Sequence, residues 1–113
     1  MQVLVAEDEE QFRAFLSRAL RAMGHSVELA VDGEDLLRRA QWGVSDVVLS
    51  DVGLPRCDGI EACSRLRAAR PSLHIVLMTG DPESAERASR AGFSPVLLKP
   101  FGLAQLKGAL AAF

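Results

Sequence analysis

Short apolar runs recur along the chain at residues 3–6, 27–30, 47–49, 75–78 and 96–98. Those at 47–49, 75–78 and 96–98 carry no polar alternation. A strand that is apolar throughout is covered on both faces, as in a parallel sheet lying between helices. Between the runs the hydrophobic period becomes helical. Phe12, Phe15, Leu16, Ala19, Leu20 and Met23 fall on one face of a first helix, and Gly24 follows at a usual helix stop. Asp32-Gly33 opens a second helix that runs to about Ala40. Asp58-Gly59 opens a third, with Ile60, Cys63 and Leu66 on one side and Pro71 beyond its end. Residues 82–91 make a fourth, stopped by Gly92, and a fifth runs from Gly102 to about Ala112.

This strand–helix unit repeats five times with no linker or low-complexity tract, which predicts one domain over residues 1–113. The class is α/β, with helices on both faces of a doubly wound parallel sheet. Right-handed crossovers prune the topologies, and the flavodoxin-like order 2-1-3-4-5 is the expected solution. It makes the fifth strand an edge, where Pro95 is tolerated. Ligands in such sheets bind at the carboxyl ends of the strands.

Polar side chains gather at those ends. The first strand runs into Glu7 and Asp8, the third into Asp51, the fourth into Thr79 and the fifth into Lys99. Carboxylates crowded together raise each other's pKa, and a divalent cation relieves the strain. Mg²⁺ suits hard oxygen ligands. A carboxylate beside Mg²⁺, with a lysine and a hydroxyl aimed at the same point, is a phosphoryl-transfer arrangement. The aspartate can serve as nucleophile, while the cation and lysine neutralise developing charge.

Composition narrows the classes further. With 13 Lys+Arg against 15 Asp+Glu, the net charge of −2 offers no basic face for nucleic acid. Cys57 and Cys63 match no zinc or redox spacing; Cys63 reads as a core residue and Cys57 as a loop thiol. Such usage fits a reducing, cytoplasmic setting. No signal peptide is visible and no apolar run approaches a membrane span.

The stretches "VLVAEDEEQFR", "DVVLSDVGLPRCDGIE", "IVLMTGD" and "VLLKPF" together resemble the receiver domains of bacterial two-component response regulators, chemotaxis regulators among them. The resemblance covers essentially the whole chain. It implies that Asp51 is the phospho-acceptor, supplied by the phosphohistidine of a histidine kinase or histidine phosphotransfer protein. It implies Mg²⁺ held by Glu7, Asp8, Asp51 and the backbone carbonyl of Gly53, with Lys99 on the phosphoryl group. Thr79 would turn towards that group and so switch the surface of helix 4, strand 5 and helix 5 for a downstream protein or output domain. It also implies a cis Lys99-Pro100 bond.

Two positions depart from the family pattern. Val96 stands where an aromatic switch residue is common, so coupling would run through loop shifts or Phe93, or be weaker. Gly53 stands where a larger side chain is common, which would leave the phosphoryl group more open to water or to a partner's histidine. The enzyme alternative, a haloacid-dehalogenase-like phosphatase, usually carries a second aspartate at the Gly53 position, and this chain is short for a substrate cap. A module excised from a hybrid histidine kinase is the other alternative.

Structural readings compete for several of these residues. Glu9 and Glu10 suit the positive end of the first helix. Thr79 alone would read as a helix cap, Asp81 as a helix 4 acid or a water-orienting group, and Asp58-Gly59 as a turn. His25 and His74 fall at the opposite edge of the sheet, and Trp42 reads as loop packing. Arg87, Arg90 and Lys107 form either an interaction surface or a solvated face.

Overall fold

The computed structural model describes residues 1–112. Strands and helices alternate as β1 (Gln2–Ala6), α1 (Glu10–Ala22), β2 (Ser26–Ala30), α2 (Gly33–Trp42) and β3 (Val47–Asp51). Then follow α3 (Gly59–Ala69), β4 (His74–Thr79), α4 (Pro82–Arg90), β5 (Val96–Leu98) and α5 (Leu103–Ala111). The strands pair in parallel in the order β2-β1-β3-β4-β5, as the alternation predicts.

Strand parity sorts the core into two halves. Successive side chains point to opposite faces of a strand. Val3, Val5, Val47, Leu49, Val76, Met78 and Leu97 pack with Leu16, Leu20, Phe101 and Leu106 under α1 and α5. Leu4, Ala6, Val48, Ile75 and Leu77 pack with Leu36, Ala62, Leu66, Ala88 and Phe93 under α2, α3 and α4. Both faces are therefore apolar, which is why the central runs show no alternation. The outer strand β2 is less covered, and its Ser26 and Glu28 are exposed.

Acids start four of the five helices. Glu9 caps α1, accepting from the Gln11 and Phe12 N–H groups. Asp32, Asp58 and Asp81 cap α2, α3 and α4 through their side chains. Each such cap satisfies a backbone donor that the helix leaves open, and contributes about 1 kcal/mol. Asp58 thus does more than mark a turn. The helix-cap reading of Thr79 is corrected, because Asp81 holds that place. Trp42 also differs from expectation. It ends α2 and is 81% exposed, so it packs no loop. Among the described residues no helix is long and apolar enough to cross a membrane.

Candidate functional site

The site forms where β1, β3 and β5 end. Register sets Ala6 beside Ser50 and Asp51 beside Met78. The ladder continues one step past the strands, since the Glu7 N–H donates to the Ala30 carbonyl (3.1 Å) and the Lys99 N–H to the Thr79 carbonyl (2.8 Å). By parity Glu7 follows Val3 and Val5, Asp51 follows Val47 and Leu49, and Lys99 follows Leu97. All three belong to the α1/α5 face. Lys99 Nζ donates to Glu7 Oε1 (2.5 Å) and to Asp51 Oδ2 (3.2 Å). Carboxylate oxygens of Glu7, Asp8 and Asp51 lie within 4.8 Å of one another. Glu7 is buried, Asp51 half-buried and Asp8 exposed, so the cluster opens to solvent on one side.

Burial pushes the Glu7 carboxyl above its ordinary range, although Lys99 and the Glu9 N–H pull it back. Burial also works against the Lys99 charge, but the Glu7 hydrogen bond and the Asp51 charge outweigh it and its pKa rises. Lys99 is one positive charge among three acids. The donor set is therefore an all-oxygen cluster with negative charge in excess, which fits a hard divalent cation. Neither thiol takes part. Cys63 is buried in the core, where burial pushes its pKa to about 12, and Cys57 lies on the loop before α3.

Thr79 has the other parity. It is buried and its hydroxyl accepts the Asp81 N–H (3.1 Å); among the described residues no hydrogen bond joins it to Asp51. Asp81 is occupied as a cap, accepting from the Glu83 N–H and the Ser84 hydroxyl, and those bonds hold its carboxyl below the usual range. Gly53 donates its N–H to Asp51 Oδ1 (3.3 Å), and a Cβ there would meet nothing within 4 Å. The Lys99-Pro100 bond is cis, as is Ser94-Pro95.

Three further residues shape the site, and sequence reasoning gave them no such part. Arg13 donates to the carbonyls of Glu7 (3.0 Å) and Asp8 (3.3 Å), fixing the loop that carries both acids. Gly59 lets α3 approach the end of β3, since a Cβ would lie 2.1 Å from the Asp51 carbonyl oxygen. Phe12 lies with its ring centroid 4.7 Å from Lys99 Nζ. Two of them had a simpler reading in the sequence, Gly59 as a turn glycine and Phe12 as part of the apolar face of the first helix; Arg13 had none.

The sequence model described as "Response regulator receiver domain" matches residues 3–111. The chain belongs to that family. It is 38% identical over 108 residues to the response regulator MprA of Mycolicibacterium vanbaalenii, covering 94% of this chain and 47% of that protein. It is 36% identical over 114 residues to the transcriptional regulatory protein TcrA of Mycobacterium tuberculosis, covering 99% of this chain and 45% of that one. The receiver domain thus spans about half the length of the curated relatives it matches. In structure it is similar to the Vibrio cholerae chemotaxis protein CheY4, with a TM-score of 0.87 and 30% identity over 98% of this chain and 96% of that one. A Methanospirillum hungatei receiver domain, 21% identical with a TM-score of 0.89 over 98% of this chain and 90% of that one, supports the fold. A receiver domain is a module of two-component signalling, and these similarities lend the phosphatase alternative no support.

Proposed function

We propose that Asp51 accepts a phosphoryl group from the phosphohistidine of a histidine kinase or a histidine phosphotransfer protein. The observation that carries this reading is the contact of Lys99 with both Asp51 and Glu7, beside Asp8, at the carboxyl end of the sheet. An Asp51 carboxylate oxygen attacks phosphorus, the P–N bond breaks, and its electron pair returns to the imidazole. Lys99 moves from carboxylate to phosphoryl oxygen and offsets the charge gathering there. Glu7, Asp8, Asp51 and the Gly53 carbonyl would hold Mg²⁺, which when bound supplies a second positive charge against the transferred oxygens. The protein catalyses only its own phosphorylation and dephosphorylation, and the cytoplasm is the compartment this reading assigns.

The phosphoryl group adds about −1.5 to −2 charge at neutral pH. Thr79 then releases the Asp81 N–H, donates its own hydroxyl proton to a phosphoryl oxygen and draws the loop before α4 inward, biasing a surface of α4, β5 and α5 that already samples both states. Exposed Arg87, Arg90 and Lys107 lie on those helices; Arg87 pairs with Asp58 (3.4 Å) and Arg90 with Glu86 (2.5 Å). The open space at Gly53 fits a short phosphate lifetime.

Transfer from a phosphorylated histidine phosphotransfer domain tests the reading. Label should pass to the wild type and not to Asp51→Asn, with no sustained turnover of small phosphate esters. Sustained turnover would favour the phosphatase, and transfer to Asp51→Asn would remove Asp51 as acceptor.

A further inference from the structure

Among the described residues, Lys99 Nζ meets the carboxylates of Glu7 and Asp51 and one aromatic ring. The ring is that of Phe12, whose centroid lies 4.7 Å away. A ring face attracts an ammonium through its quadrupole within about 6 Å. The ring is braced on two sides. Phe101 meets it edge-on, with centroids 5.4 Å apart and planes at 88°, and Phe15 lies 5.7 Å away. The Phe12 backbone is fixed as well, since its N–H donates to Glu9 Oε2 (2.6 Å) in the cap of α1. Lys99 and Phe101 flank Pro100, so the loop between β5 and α5 grips one ring at two points.

We propose that Phe12 is a positioning residue for Lys99, its ring face holding the ammonium at the site while Glu7 and Asp51 are engaged elsewhere. The proposal rests on the phosphoryl-transfer reading above. The two acids that hold Lys99 are also the acids that would bind a divalent cation. Once their charge is neutralised, their attraction for Lys99 weakens. The ring's attraction does not depend on their charge, so it persists through loading. A leucine at position 12 would fill much of the same apolar space without that attraction.

Two measurements test this. Protons on the methylene next to Lys99 Nζ should resonate upfield in the wild type, because the nitrogen they adjoin lies over a ring face. The upfield shift should persist with Mg²⁺ and beryllofluoride, a phosphoryl mimic, and vanish in Phe12→Leu. Placing mono- and then trifluorinated phenylalanine at position 12 drains the ring face with little change in shape. The rate of Asp51 labelling by acetyl phosphate should fall stepwise, about two- to fivefold between the end members. No upfield shift in the wild type, its loss on loading, or a flat rate series would each overturn the proposal. The fluorinated variants keep the test decisive if Phe12→Leu fails to fold. Failure of the wild type to label at Asp51 would instead count against the phosphoryl-transfer reading, which the proton shifts do not measure.

Discussion

An aspartate stands at each end of β3, and the two are used in opposite ways. Asp46, just before the strand, accepts the Gln2 N–H on Oδ2 (2.8 Å), while its own N–H and carbonyl serve Gln2 and His74. Asp51, at the far end, faces Lys99, Glu7 and Asp8. Near Asp46, Arg70 donates to the carbonyls of Ala40 and Ser45. Polar groups at the amino end tie down backbone that would otherwise lack partners. At the carboxyl end, three acids gather around one lysine and charge is concentrated. The same residue type is structural where it completes backbone hydrogen bonding, and chemical where it adds to an unbalanced charge.

The sharpest break in that comparison is a pair of double substitutions four residues wide. Glu7→Gln with Asp8→Asn should bring Mg²⁺-dependent phosphorylation to background. Glu9→Gln with Glu10→Gln should leave its rate within about twofold and cost up to ~1 kcal/mol in stability, because Glu9 caps α1. Equal losses of labelling in both would erase the boundary between the proposed metal site and the helix cap.

Changes at the amino end should register in stability alone. Arg70→Ala removes two charged-donor hydrogen bonds and should cost about 1.5–3 kcal/mol in denaturant unfolding, with the labelling rate kept. Asp46→Ala should cost less, about 0.5–1.5 kcal/mol, again with labelling kept.

The smallest effect is one of sign. Burial raises the Glu7 pKa above its ordinary 4.5, so the folded protein holds that proton more tightly than the unfolded chain. Its favourable contribution is fully present below 4.5 and is lost as pH rises through the raised folded value. Near neutrality, with a chelator present, Glu7→Gln should therefore unfold at a higher temperature than wild type, and that advantage should shrink on acidification. Mg²⁺ should reverse the order. A Glu7→Gln advantage that does not change with pH would show that Glu7 ionisation carries no such cost.

Most of this arrangement was legible in the sequence because it follows from period and position. Unbroken apolar strands imply two covered faces, and the strand ends then collect Glu7, Asp8, Asp51, Thr79 and Lys99. What stayed hidden depends on a third dimension. Parity separates Thr79 from the acids, but only relative to helices whose packing had to be seen. Phe12 fits the hydrophobic stripe of α1 equally well as core filler or as a platform for Lys99. Gly59 looks like any glycine after a cap until its distance to the Asp51 carbonyl is known. Trp42 misled because a tryptophan near a helix end usually finds cover, and this one does not.

Peptide mapping of the phosphoryl label tests the contrast between the two ends of β3 most directly. After incubation with acetyl phosphate and Mg²⁺, the label should fall on Asp51 alone, and it should not form when a chelator is present from the start. Label on Asp46 or another acid, or label that forms on Asp51 with the chelator present throughout, would contradict the account.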